Sequence, residues 1–404
     1  MRIVKIVAKG LPLYKDNEFT LNMYASDRVA KNEDDEIADV RQLGKSGSIY
    51  SQNILGLVGV NAVGKTTTLN LVNLVVSFLS YLKVSRHDAP EVNRIGRLDG
   101  PLELSVVFFQ NGEFYLLEST LVCPHPQASS GCVHGDDLIF TDEVLWRLNC
   151  KRPKRTMFDN LDEFKENAVV DTRRNGDPAK DSAVLSGTAR MYLDDQTSVA
   201  TRLTGKNGTT ESVPAGVLPR EDLPASVLRA FDPTIESLSY DAKMQVYHLK
   251  FKGEPECVMG PDAIPSYLSQ GTIVGADMVR FATQRLCDGG FMLVDEIETS
   301  LNRSLVGAII NLFASPATNP HGAQLIFTTH VPELLDEVHR KDAVYVLRKD
   351  RGVKTEVVRY SDEVKRIENK KSAAILRNVV RGSMPDYPDV QAMRMYVKER
   401  VDGK

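Results

Sequence analysis

Gly59-Val60-Asn61-Ala62-Val63-Gly64-Lys65-Thr66-Thr67 carries the spacing G-x-x-x-x-G-K-[ST] of a phosphate-binding loop. The glycines let the backbone wind so that successive N–H groups point inward, where phosphate oxygens can sit. Lys65 then reaches the β- and γ-phosphates, and the Thr66 hydroxyl ligates Mg²⁺. The candidate phosphate contacts are Gly59, Asn61, Ala62, Val63, Gly64, Lys65, Thr66 and Thr67. Outward from the loop the context agrees. Asn53 to Val58 reads as a short buried strand, and Leu69, Val72, Val76 and Leu79 recur at helical spacing after it. A strand feeding a helix N-terminus through a glycine-rich turn is a ready anion site.

Three further stretches follow in a consistent order. Phe291-Met292-Leu293-Val294-Asp295-Glu296 is an apolar strand ending in two carboxylates. Its buried residues hold Asp295 in place as a ligand for Mg²⁺, direct or through water, beside Thr66. Glu296 is placed to orient or deprotonate an attacking water. About 24 residues upstream, Tyr267-Leu268-Ser269-Gln270-Gly271-Thr272 opens a helix carrying Val279, Ala282 and Leu286. There Ser269 and Gly271 offer a hydroxyl, exposed N–H groups and the positive end of a helix dipole; an ordinary N-cap explains Ser269 equally well. Downstream, Leu325 to His330 is another apolar strand. His330 at its carboxyl end lies where ligands bind in α/β sheets, poised to donate to a γ-phosphate or to water.

These four motifs together resemble the ATPase heads of the ABC superclass. The phosphate loop matches the Walker A, Ser269-Gln270-Gly271 the signature, Asp295-Glu296 the Walker B, and His330 the switch histidine. Within that superclass the LSQGT form and the run Asp295–Asn302 look like stand-alone prokaryotic ATPases: OLD-like proteins without their nuclease domain, and ATPase subunits of anti-phage systems such as Septu, PARIS and the RloA type. The implied fold class is α/β, a P-loop core sheet with an antiparallel β subdomain and an inserted irregular or helical subdomain. The implied ligands are ATP and Mg²⁺. Glu296, His330 and Lys65 would be catalytic, and Thr66 and Asp295 would hold the metal. The implied assembly is a head-to-head homodimer or higher homo-oligomer, in which Ser269 and Gly271 of one copy reach the nucleotide of the other. Such ATPases work with a separate effector, often a nuclease. Asn302 departs from the acidic residue that normally ends the family's D-loop, and Gln110 is a candidate for its Q-loop glutamine. The alternatives are a DNA-binding repair head of the SMC or RecF kind, and a regulatory ATP-binding module that hydrolyses negligibly.

The rest of the chain is divided by texture. Residues 1–122 form the first part of the ATPase domain, with an alternating strand at 2–8 and a hairpin of Leu102–Phe109 with Phe114–Val122 around Asn111-Gly112. Residues 123–235 are rich in Pro, Gly, Ser, Asp and Lys and read as an insertion, with one helical piece near 156–170. Residues 236–361 resume the ATPase domain: a hairpin at 237–251, helices at 275–287, 300–314 and 332–338, and strands at 291–294, 324–328, 343–348 and 354–360. Residues 362–404 are a charged helical tail.

Composition sets outer limits. At 404 residues the chain suffices for one large domain with insertions or for two. No apolar run approaches the roughly 20 residues of a membrane helix, and five cysteines suggest no disulfide framework. The cytoplasm is the expected address. A net charge of −4 sets no bias toward nucleic acid. Lys151-Arg152-Pro153-Lys154-Arg155 and Arg173-Arg174 are local basic runs that read as solvated loops. Cys123, His125, Cys132 and His134 form C-x-H…C-x-H, a spacing able to gather Zn²⁺ though it matches no common zinc module.

Overall fold

The computed structural model describes residues 1–402 apart from 30–38, 45–47, 81–82, 85–93, 97, 99, 124–137, 177–179, 187–192, 205–209, 213–217, 351–352, 366–369 and 386. Helix α1 (Lys65–Leu79) lies between two six-stranded sheets. The antiparallel sheet runs β2 (Glu18–Asn22), β1 (Arg2–Lys9), β6 (Leu102–Gln110), β7 (Glu113–Val122), β8 (Ile139–Leu148) and β9 (Ala168–Arg173). The core sheet runs β10 (Thr210–Ser212), β14 (Phe291–Val294), β15 (Gln324–Thr329), β5 (Ile54–Val58), β16 (Val344–Asp350) and β17 (Lys354–Arg359). All its pairings are parallel except β16 with β17. This mixed α/β architecture is the expected fold class.

The position of α1 explains its composition. Beyond the apolar positions read from the sequence, Leu71, Leu74, Val75 and Phe78 are also buried. Ile6, Leu104 and Val106 of the antiparallel sheet and Leu55, Leu293 and Ile326 of the core sheet belong to the same cluster. Beyond its first turn, a helix enclosed by two sheets has little solvated face, so from Leu69 onward it is mostly apolar. The other face of the core sheet is covered by α3 (Gln270–Asp288), α4 (Arg303–Ala314) and a 3₁₀ turn at Pro332–Glu337, where the sequence pattern predicts a regular helix at 332–338. The 3₁₀ turn begins with Pro332, which has no N–H to give. A smaller sheet of β11 (Ile235–Asp241), β12 (Val246–Phe251) and β13 (Cys257–Met259) packs with α2 (Ala225–Phe231) against the first half of α3.

The expected hairpin turn is present: Asn111 and Gly112 take φ of 50° and 87°, as two-residue hairpin turns demand. The segment 123–235 departs from the sequence reading. Its β8 and β9 extend the sheet that begins with β1, and the helical piece resolves into two short turns, Thr156–Asp159 and Leu161–Glu166. Arg174 leaves the basic run and is buried against Glu143. Of the C-x-H…C-x-H residues, Cys123 follows β7 and is half-buried, and His125, Cys132 and His134 lie outside the described residues. The tail carries α5 (Lys371–Leu376), packed on the 332–337 turn, and α6 (Tyr387–Asp402), which buries no side chain.

Candidate active site

Parallel pairing assembles the site. Val58 ends β5, Val294 ends β14 and Thr329 ends β15, and the registers set Thr329 beside Val58 and Val294 beside Phe327. The residues that follow these strands therefore emerge together at the carboxyl edge of the sheet, where open α/β folds bind ligands.

The phosphate loop is wound as its spacing requires. Ala62 and Gly64 take φ of 60° and 88°, and Gly64 caps the N-terminus of α1. Gly59 has a separate reason to lack a side chain, because a Cβ there would collide with the Leu347 carbonyl of β16. Val63 turns its side chain into the core, and its carbonyl accepts from Thr355 Oγ1 at 2.8 Å. Asn61, Ala62 and Thr66 remain exposed. Lys65 Nζ lies back along the loop, donating to the carbonyls of Gly59 at 2.8 Å and Val60 at 3.0 Å. Burial pulls its pKa below the ordinary lysine value, opposed by Glu296, Asp295 and Glu298.

The expected metal and catalytic residues meet here. Thr66 Oγ1 donates to Asp295 Oδ2 at 2.7 Å. A hydroxyl beside a carboxylate is the hard-oxygen set that suits Mg²⁺, so these residues fit that ion. His330 bridges the other two, with Nδ1 3.3 Å from Lys65 Nζ and Nε2 3.1 Å from Glu296 Oε1. An ammonium has only donors, so Nδ1 accepts and the proton rests on Nε2, pointing at Glu296. Glu296 itself has φ of 48°, a conformation that costs a bulky residue about 1–3 kcal/mol. That turn swings its half-exposed carboxylate out of the strand direction and toward His330.

Two residues that sequence reasoning gave no role hold this geometry. Thr328 Oγ1 donates to Asp295 Oδ1 at 2.5 Å and accepts from the Glu296 N–H at 2.7 Å, while its carbonyl accepts from Ile297 N. One threonine thus orients the metal-side carboxylate and stabilises the turn that aims Glu296. Glu298 Oε1 accepts from the His330 backbone N–H at 2.7 Å. Adjacent strand ends carrying DExE and TTH are the available signal, and it becomes readable only once the strands are known to be neighbours.

Ser269 and Gly271 stand apart from this cluster. Ser269 caps α3, its Oγ accepting from Thr272 N at 3.1 Å. A Cβ on Gly271 would lie 2.5 Å from the Ser300 carbonyl, so the signature turn is packed on the 300–302 loop. Asn302 serves as N-cap of α4, accepting from Ser304 N at 2.9 Å. Among the described residues no hydrogen bond joins the signature turn to the phosphate loop. Gln110, the open Q-loop candidate, lies away from this cluster. It lines a cleft with Gly289 and Gly290, which precede β14, whereas the phosphate loop follows the carboxyl ends of the strands. The tail, by contrast, reaches the site: Met384 and Pro385 share a cleft of about 550 Å³ with Gly59, Asn61, His330 and Lys349.

A family profile described as "AAA domain, putative AbiEii toxin, Type IV TA system" matches residues 276–336, the stretch that holds Asp295, Glu296, Glu298, Thr328 and His330. No curated protein sequence matches the chain. Among solved structures the chain is similar to the SMC head domain from Thermotoga maritima, with 12% identity, a TM-score of 0.39, and coverage of 89% of this chain and 99% of that one. The profile match and the phosphate-loop geometry together support a P-loop ATPase.

Proposed function

We propose that the protein binds and hydrolyses ATP with Mg²⁺ in head-to-head dimers. One observation carries the hydrolytic half: Thr66, Asp295, Glu296, His330 and Lys65, drawn from three separate strand ends, join through Thr328 in one hydrogen-bonded cluster. Bound Mg²⁺ would neutralise charge on the phosphates. This chain's own residues do the rest. The loop N–H groups and Lys65 hold the phosphates, Asp295 and Thr66 hold the metal, and Glu296 accepts the proton of the attacking water. His330 keeps Glu296 aimed and shields its charge from Lys65. The dimer half of the reading is supported by the signature turn, a capped and exposed helix N-terminus that, among the described residues, makes no hydrogen bond with its own phosphate loop. In a dimer Ser269 and Gly271 would close the γ-phosphate site of a second copy.

The biological reading is a sensor or scaffold subunit of a prokaryotic anti-phage complex in the cytoplasm, acting with a separate effector such as a nuclease. The matched profile's own name, with its toxin and toxin–antitoxin system, supports a role in that setting. The test is Glu296→Gln with ATP and Mg²⁺. A hydrolase of this kind stops releasing phosphate and accumulates as an ATP-bound dimer in sedimentation. A variant that hydrolyses at the wild-type rate removes Glu296 from the mechanism. One that stops hydrolysing yet stays monomeric removes the dimer.

A further inference from the structure

A second cleft, of about 680 Å³, opens at the opposite end of the core sheet from the phosphate loop. It lies where β14 and β15 begin and where β1 and the β6–β7 turn of the antiparallel sheet come alongside. Arg2, Arg41, Arg285 and His321 line it, and Asp288 is the single carboxylate among its described lining residues. We propose that this cleft binds a small phosphorylated molecule, held by the Arg2, Arg41 and Arg285 guanidinium groups at a site separate from the ATP site.

The backbone holds the cations together, and among the described residues two of them have only neutral hydrogen-bond partners. The Arg2 side chain is 6% exposed. Its partners are neutral: Asn53 Oδ1 at 2.7 Å, the Gln52 carbonyl at 3.1 Å, the Gly322 carbonyl and Ser51 Oγ. Arg41 donates to another neutral group, the Pro320 carbonyl, at 2.6 Å. Gly322 is what lets them converge. Its φ is 67°, and a Cβ there would collide with Arg2 Nη1 and lie 2.8 Å from Arg41 Nη1. Burial, and then the charge of Arg41, pull the Arg2 pKa down to about 9. The Arg285 guanidinium, on the last turn of α3, is buried to 2% exposure in the same wall.

Like charges brought this close repel, and an anion between them relieves the repulsion. A guanidinium fork such as that of Arg41 matches phosphate oxygens in pairs, Arg2 adds its charge and the one N–H that its neutral partners leave over, and Gln284 adds a neutral amide beside them. The volume falls within the range of about 300–1,000 Å³ typical of small-molecule sites. That size favours a nucleotide or a short polyphosphate over a nucleic-acid strand. Because β1 belongs to one sheet and β14 and β15 to the other, an occupant would touch both.

The test uses the full chain with its phosphate loop saturated by Mg²⁺ and a non-hydrolysable ATP analogue. Inorganic pyrophosphate and AMP are then titrated calorimetrically as separate arms, with a single-stranded oligothymidylate as a third. Saturable binding of pyrophosphate alone assigns the site to polyphosphate, and binding of AMP assigns it to a nucleotide. Either affinity should fall about tenfold or more in Arg41→Ala and in Gln284→Glu, and should weaken as salt rises. Both variants alter exposed side chains, and circular dichroism checks their fold. The proposal is overturned if neither small phosphate saturates, if binding is undiminished in both variants, or if only the oligonucleotide binds.

Discussion

Two polar clusters in this chain are built from the same chemical parts and are arranged in opposite ways. At the carboxyl edge of the core sheet, Lys65, Asp295, Glu296, Thr66, Thr328 and His330 form an open set. In the antiparallel sheet, Glu143 of β8 is 0% exposed and accepts from Arg174 Nε and Nη2 at 2.9 and 2.6 Å, Ser198 Oγ at 2.7 Å, Val199 N at 3.1 Å and Ser119 Oγ at 3.3 Å. Burial pushes the Glu143 carboxyl up, while Arg174 and Ser198 pull it back. Every lone pair there is spoken for, so the cluster can only tie 194–204 to the sheet. Among the described residues Glu296 has His330 as its one side-chain partner, and it is 51% exposed. It is free to exchange that partner for water, which is what chemistry requires. The contrast separates a carboxylate whose surroundings satisfy it completely from one left open, as the proposed role of Glu296 requires.

The largest effect should come from opening that contrast on the reactive side. Glu296→Gln should lower ATP turnover by about 10²- to 10⁴-fold, the usual worth of a general base, and leave thermal stability nearly unchanged. A phosphate-release assay paired with a melting curve checks both. A melting loss as large as that at Glu143 would erase the distinction between the clusters.

On the structural side, Glu143→Ala leaves the Arg174 charge buried without its carboxylate and should cost about 3–5 kcal/mol of folding stability, read from urea denaturation. Thr328→Val keeps the shape and removes the hydroxyl that joins Asp295 to the Glu296 turn. It should cost about 1–3 kcal/mol of orientation, seen as a raised Mg²⁺ requirement with ATP affinity retained in metal-free buffer. A Mg²⁺ dependence like the wild type's would demote Thr328 to a packing residue.

The smallest effect belongs to a third pair that is intermediate between the two. His339 Nδ1 lies 3.0 Å from Oδ2 of the buried Asp39, and the His339 side chain is 58% exposed. The Asp39 hydrogen bond raises the His339 pKa above its ordinary 6.5. A raised histidine pKa stabilises fully below 6.5, and the contribution is lost as pH climbs through the folded-state value. The melting advantage of wild type over His339→Gln should therefore be greatest near pH 6 and shrink toward pH 9. Solvent screening keeps it small.

How much of this was legible depends on how local the cause is. The phosphate loop, the apolar strand ending in Asp295-Glu296 and the strand ending in His330 were readable because each is a short run whose backbone winding or burial dictates its residues. The Asn111-Gly112 turn was readable for the same reason. The place of Gln110 stays open in the sequence because turn chemistry says nothing about which end of another sheet the turn will meet. Arg174 looked like part of a basic surface because its partner Glu143 lies 31 residues away on another strand. The strands β8 and β9 sit in a segment whose composition resembles loops, and the pairing of β8 to β7 and of β9 to β8 supplies the order that the sequence pattern lacks.

By itself, then, the amino-acid order determined where phosphate can be cradled, which carboxylates end buried strands and where the helices begin. Those outcomes follow from dihedral freedom and hydrophobic period within a few neighbouring residues. Tertiary structure alone decided that Thr328 would bridge Asp295 and Glu296, that His330 would stand between Lys65 and Glu296, and that three arginines would line one cleft. Each of these depends on strand order and register, which bring together groups far apart along the chain, and no local pattern encodes that distance.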